Sequence, residues 1–137
     1  MNTNNNTSTI MVLEPDAVVR AAISEFLRDC GYLVIEGVSA DDLHAALEAD
    51  AVIDVVLAEV TLKGSTTGFE LAHGLRQTQP EIAVILVSSI ENVVEKAGDL
   101  CGRNPVRKPY HHEEILRRIR MLVERRDRLA RDAAAKE

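Results

Sequence analysis

A small set of polar side chains stands where short apolar runs of the sequence end, and their types could do chemistry together. In chain order they are two carboxylates, a third carboxylate, a hydroxyl and an amine: Glu14 and Asp16, Glu59, Ser88, and Lys108. Ser88 lacks a His and an Asp at a spacing typical of hydrolases. His111 and His112 are adjacent and so point in different directions on a helix, which does not suit zinc. The pattern therefore predicts a site that acts through charge.

Apolar runs alternate with amphipathic stretches, and together they predict the elements that position these side chains. Strands are predicted at 10–13, 32–35, 52–59, 82–87 and 104–107, and helices at 18–29, 41–49, from 69 to the residues before Gln79–Pro80, at 91–99, and from about 111 onward. Strands that alternate with helices at this spacing are typical of an α/β fold with a parallel sheet. We predict a doubly wound five-stranded parallel sheet of order 2-1-3-4-5, between two layers of helices.

The run 52–59 is central to this prediction. It is rich in β-branched residues and has no helical period, which indicates a strand buried on both faces. In a doubly wound sheet, sites form beyond the carboxyl ends of the strands, where the strand order reverses. Strands one and three are neighbours there, so we expect Glu14, Asp16 and Glu59 to form one acidic cluster. Ser88 and Lys108 should lie at the same edge.

Composition narrows the class of protein. The chain has 137 residues, enough for one domain with a substantial core. Its formal charge of −6 argues against nucleic-acid binding. No apolar run is long enough for a membrane span, and we expect a cytoplasmic protein with reduced cysteines. We expect a frayed N-terminus at 1–9, a domain at 10–124 and a charged helical extension at 125–137.

The motifs that end these strands resemble the receiver domain of bacterial two-component response regulators, over roughly residues 10–123. The resemblance rests on these segments: Glu14–Pro15–Asp16, Leu57–Ala58–Glu59, Gly64 with Gly68–Phe69–Glu70–Leu71, Val84 to Ser88, and Arg107–Lys108–Pro109–Tyr110. It implies a CheY-like, flavodoxin-like three-layer sandwich. A flavodoxin itself would need a phosphate-binding loop where this chain has an acidic turn, which would repel phosphate.

The resemblance implies a role for each site residue. The residue that ends strand three accepts a phosphoryl group from a histidine kinase, and its position here is Glu59. In the family, acids after strand one help to hold Mg²⁺, and in this chain the acids that follow strand one are Glu14 and Asp16. Ser88 would contact the phosphoryl group and Lys108 would pair with it, with Pro109 shaping the turn. A carboxylate nucleophile, a hard cation and an ammonium group are the usual parts of phosphoryl transfer.

This chain departs from the family pattern at the two positions that matter most. The acceptor is a glutamate, one methylene longer than the usual aspartate, so its oxygens should crowd the space of the phosphoryl group and the metal. Pro15 stands where a direct acidic metal ligand is usual. We therefore expect no resident cofactor, and a Mg²⁺ site built from Glu14, Asp16 and Glu59 would lack a ligand. The sequence predicts a pseudo-receiver.

Two interpretations of Glu59 stay open. It could reach toward Lys108 and Ser88 as a fixed imitation of the phosphorylated state, or it could be an inert carboxylate in a domain that no longer switches. The alternative function is a working phosphoacceptor that uses Mg²⁺. We expect a single-domain signalling module and not an enzyme. Its partners would be a histidine kinase, a phosphotransferase or another signalling protein, and a homodimer through the last helix stays open.

Overall fold

The computed structural model describes residues 8–88, the backbone of 106–107, and residues 112–135. Its strands are β1 (Thr9–Leu13), β2 (Leu33–Gly37), β3 (Val55–Glu59), β4 (Ala83–Ser88) and β5 (Val106–Arg107). Its helices are α1 (Ala17–Asp29), α2 (Ala40–Glu48), α3 (Gly68–Thr78) and α4 (His112–Ala135). The helix predicted at 91–99 lies outside the described residues, as do Lys108 and Pro109.

The strands form one parallel sheet of order β2-β1-β3-β4-β5, which confirms the predicted topology. Alternate residues of each strand face opposite sides of the sheet and fill two cores. Met11, Leu13 and Val56 pack beneath α2 and α3, whereas Ile10, Val12 and Val55 pack beneath α1 and α4. The two buried faces explain why β1 and β3 are continuously apolar in sequence.

The third strand begins later than predicted. It starts at Val55, and Val52 is 76% exposed although it belongs to the same apolar run. The reason is Asp54, whose carboxylate accepts a hydrogen bond from the Thr9 backbone N–H at 2.7 Å and pairs with Arg126 of α4 at 2.6 Å. These two contacts hold Asp54 as the last residue of the loop that leads into β3, so the strand begins only at the next residue. The prediction of a strand from residue 52 was therefore wrong at its start.

Side-chain caps fix where the helices begin. In sequence, Ser39–Ala40–Asp41–Asp42 resembles a capping box, and the structure has this box at the start of α2, with Ser39 and Asp42 each accepting the other's backbone N–H. A second capping box, between Thr67 and Glu70, starts α3. These caps set the orientation of the chain as it leaves the carboxyl edge of the sheet.

Removing the cap of α3 should have a measurable cost. We expect Thr67→Ala to lower the free energy of unfolding by about 1 kcal/mol, because it leaves the Glu70 backbone N–H without its side-chain acceptor. Chemical denaturation monitored by circular dichroism measures this. Thr66→Ala is the control, since Thr66 is not the capping residue. Equal losses in the two variants would contradict the assignment of the cap.

Ser24 is a fully buried residue of α1 whose hydroxyl has no hydrogen-bond partner among the described residues. One turn to either side of it, Arg20 and Arg28 both pair with Glu36 of β2, at 3.4 and 3.0 Å. A buried hydroxyl without a partner costs free energy. Alanine also has a higher helix propensity than serine.

We therefore expect Ser24→Ala to raise the free energy of unfolding, by up to about 1 kcal/mol. The matched variant is Ser39→Ala, which removes the same hydroxyl from the cap of α2 and should lose about 1 kcal/mol. Urea denaturation of both variants tests the opposite signs. A clear destabilisation by Ser24→Ala would show that its hydroxyl has a partner in the folded chain.

Candidate functional site

Three of the predicted site residues lie buried at the carboxyl edge of the sheet. Glu14 follows β1, Glu59 ends β3 and Ser88 ends β4, and they are 4%, 5% and 0% exposed. The register places them close together along the edge, because Leu13 pairs with Ala58 and Glu59 pairs with Val87. Apart from Ser24, these three are the buried polar side chains among the described residues.

Glu14 is held by its own turn and by α1. Its backbone N–H donates to the Gly37 carbonyl at 3.0 Å, and its carbonyl accepts from Arg20 Nη1 at 2.7 Å. Its Oε2 atom accepts the Asp16 backbone N–H at 2.9 Å, across Pro15. Arg20 was not predicted as a site residue, since an arginine in the first turns of a surface helix carries no distinctive signal. The turn at the end of β1 is thus fixed from both sides.

The structure gives Asp16 a different contact from the one predicted. Its side chain is exposed, and Oδ1 accepts the backbone N–H groups of Val18 and Val19 at 3.0 and 3.1 Å. It is the N-cap of α1, where a carboxylate satisfies amides that the helix leaves open. Of the two carboxylates in the predicted acidic pocket, only that of Glu14 is buried there. The Asp16 carboxylate instead caps α1.

The Glu59 carboxylate turns back toward the loop that follows it. Its Oε2 atom lies 3.4 Å from the backbone nitrogen of Thr61, two residues further along the chain. The start of α3 packs directly on this strand end, because the Gly68 backbone N–H donates to the Val60 carbonyl at 2.7 Å. Glu59 is thus enclosed by its own loop and by the first turn of α3.

Ser88 pairs in register with Arg107, the last residue of β5. Lys108 and Pro109 follow Arg107 directly in the sequence and lie outside the described residues. Their predicted roles remain predictions. The strand that precedes them is parallel to β4, so the chain leaves β5 in the direction of the carboxyl edge.

The residues present do not fit a magnesium site. Mg²⁺ requires several oxygen ligands in near-octahedral geometry. Pro15 offers no side-chain ligand, and the Asp16 carboxylate is exposed and caps α1. Among the described residues, no three His, Cys, Asp or Glu side chains are grouped so that they could hold a metal ion. The predicted ligand set of Glu14, Asp16 and Glu59 is therefore not assembled there.

The fold and the charged edge together define the class of protein. A parallel sheet of this order, flanked by helices and with acids at the ends of β1 and β3, is a CheY-like domain. The response regulator receiver domain family matches residues 10–120, and the chain belongs to this family. It is a receiver domain of a two-component signalling system. No helix among the described residues is long and apolar enough to cross a membrane.

Several known proteins are similar to this chain. A cyclic di-GMP phosphodiesterase of Thermotoga maritima is 27% identical over 113 residues, which are 81% of this chain and 30% of the phosphodiesterase. The probable transcriptional regulatory protein TcrX of Mycobacterium tuberculosis is 28% identical over 85% of this chain and 50% of its own length. This chain thus spans half or less of these relatives. The structure of the BeF3-activated DrrB receiver domain matches 87% of this chain and 99% of its own, at 26% identity and a TM-score of 0.73.

Proposed function

We propose that this chain is a pseudo-receiver, which signals through protein–protein contacts without being phosphorylated. In this proposal the Glu59 carboxylate provides the negative charge that a phosphorylated aspartate provides in other receivers. The observation that carries the proposal is the position of Glu59, buried at the end of β3 with Oε2 facing the Thr61 amide. An extra methylene moves the carboxylate outward from the strand end, into the region that an added phosphoryl group would need.

The metal site supports the same proposal. Receiver phosphorylation relies on a hard cation to neutralise the phosphoryl oxygens. Here the Pro15 side chain cannot serve as a metal ligand, and the Asp16 carboxylate is the N-cap of α1. A chain without these ligands has little means of stabilising phosphoryl transfer to Glu59. Lys108, which follows β5, would supply the positive charge that pairs with the buried acid.

The proposed partners are a histidine kinase, a phosphotransferase or another regulator of a two-component pathway in the cytoplasm. They would bind the surface around the helix predicted at 91–99, β5 and the start of α4, the part of the chain that follows Ser88. We propose residues 10–124 as the receiver unit and 125–137 as a charged extension of the last helix. In the structure α4 runs without a break from His112 to Ala135.

Phosphorylation with acetyl phosphate and Mg²⁺ tests the proposal. We expect no labelling of the native chain by intact mass spectrometry. The double variant Pro15→Asp, Glu59→Asp restores the residues usual in the family and should become labelled. The single variant Glu59→Asp controls for the acceptor alone and should label weakly, because the metal ligand is still absent. Base-labile labelling of native Glu59 would overturn the proposal in favour of a working phosphoacceptor.

A second measurement separates a phosphate mimic from an inert carboxylate. Glu59→Gln keeps the shape of the side chain and removes its charge. If the charge maintains an active-like state, amide hydrogen exchange should increase in β4, β5 and the start of α4, at a distance from the substitution. Thr61→Ala is the control, because it alters the neighbouring loop without changing charge. Unchanged exchange beyond the Glu59 loop would mean that the carboxylate is inert.

A further inference from the structure

Arg20 of α1 contacts both ends of the turn that follows β1, which we refer to as the acidic turn (residues 14–16). Its backbone N–H donates to the Asp16 carbonyl at 2.8 Å, as the first hydrogen bond of the helix. Its Nη1 atom donates to the Glu14 carbonyl at 2.7 Å. These carbonyls belong to the residues on either side of Pro15. One arginine therefore fixes the acidic turn at both of its ends, through its backbone and through its side chain.

The Arg20 guanidinium is itself held by an ion pair on β2. Its Nε atom lies 3.4 Å from Glu36 Oε1, and Arg28 binds the other oxygen of the same carboxylate at 3.0 Å. The Arg20 and Glu36 side chains are 22% and 32% exposed, so both are partly shielded from water. A guanidinium is planar and presents its N–H groups in fixed directions. Arg20 thus binds a carboxylate and a carbonyl at once, and each contact orients the other.

The fixed backbone of the acidic turn determines where the Glu14 carboxylate lies. Glu14 Oε2 accepts the Asp16 backbone N–H at 2.9 Å, and the Glu14 backbone N–H donates to the Gly37 carbonyl at 3.0 Å. The bond to the Asp16 amide requires the Glu14 and Asp16 backbones to keep their relative orientation, which the two contacts of Arg20 set. Because a buried carboxylate depends on its hydrogen bonds, the position of Glu14 depends on this orientation.

We propose that Arg20 is a positioning residue of the site, which keeps the Glu14 carboxylate buried at the carboxyl edge of the sheet. It acts through the acidic turn, and Glu36 holds its guanidinium in place. The Glu14 carbonyl belongs to the peptide that leads to residue 15. The same contact therefore also fixes the direction in which the side chain of residue 15 leaves the turn. This role does not depend on whether Glu59 imitates a phosphoryl group.

The chemical shift of the Asp16 amide proton tests this role, because that N–H is bound to the Glu14 carboxylate. An amide proton bound to a carboxylate resonates downfield, and Glu14→Gln provides the shift without the charge. We expect Arg20→Met to move the Asp16 resonance at least about halfway from its native position to its position in Glu14→Gln. Arg28→Met is the matched control, since it also removes an arginine that binds Glu36 but leaves the two contacts of Arg20 in place. Its Asp16 resonance should stay at the native position.

Phosphorylation of the restored variant Pro15→Asp, Glu59→Asp provides a functional measurement, and this measurement alone rests on the proposed function. Labelling by acetyl phosphate requires residues 15 and 59 to be correctly placed. Adding Arg20→Met to the restored variant should slow labelling at least about tenfold, whereas adding Arg28→Met should change it little. Urea denaturation confirms that each variant is folded.

The outcomes separate the two proposals. A native Asp16 amide shift in Arg20→Met, an equal displacement in Arg28→Met, or equal labelling rates after the two substitutions would each overturn the role of Arg20. A restored variant that is not labelled at all would count against the proposed function, and the Asp16 resonance would still decide whether Arg20 positions the site.

Discussion

Replacing Gly68 by alanine should lower the free energy of unfolding by about 1–3 kcal/mol, the range for an overpacked core site. A Cβ atom at this position would lie 2.6 Å from the Glu59 carbonyl oxygen and 2.9 Å from the Val60 Cα. Both atoms belong to the backbone, so α3 or the end of β3 must move. Because Glu59 is part of that strand end, the substitution should also alter the site.

Gly74 provides a matched control in the same helix. A Cβ atom there would meet nothing within 4 Å. Gly74→Ala should therefore raise the free energy of unfolding by about 0.5–1 kcal/mol, through the higher helix propensity of alanine. Urea denaturation measures both changes. If the two variants shifted in the same direction, close packing of α3 on β3 would not explain the glycine at position 68.

Replacing Asp54 by alanine should destabilise the fold by about 2 kcal/mol, within the range for hydrogen bonds to charged groups. Its carboxylate binds the Thr9 backbone N–H at 2.7 Å and Arg126 at 2.6 Å. The substitution leaves the amide and a half-buried guanidinium without this acceptor. It also removes the tie between α4 and the amino edge of the sheet, so amide exchange should rise across residues 120–135.

Asp127→Ala is the control for this effect. Asp127 also contacts Arg126, at 3.4 Å, but its side chain is 52% exposed. An exposed ion pair of this kind contributes about 0–1 kcal/mol, so the control should stay close to the native chain in denaturation and hydrogen exchange. Similar losses of stability in the two variants would show that Arg126 needs an acidic partner of any kind, and that its link to the sheet through Asp54 is not what stabilises the fold.

Local patterns in the sequence were sufficient to predict the order of elements and the sheet topology. Apolar runs without a helical period become strands buried on both faces, and right-handed crossovers then leave few arrangements of five parallel strands. The same logic brought Glu14, Glu59 and Ser88 to one edge of the sheet, where the structure has them. The capping box at Ser39 was also predicted, because its signal lies within four adjacent residues.

Contacts between distant segments decided the features that the sequence did not predict. The sequence could not show that Asp54 would bind Thr9 and Arg126, and so end the entry loop of β3. It placed Asp16 with Glu14 in an acidic pocket, although the amides of α1 hold the Asp16 carboxylate at the surface. A carboxylate has several partners within reach along the chain, and the three-dimensional distances choose among them. The positions of the strands thus follow from the pattern of apolar residues and their order from the usual doubly wound topology, whereas the contacts of each acid are set only when the chain has folded.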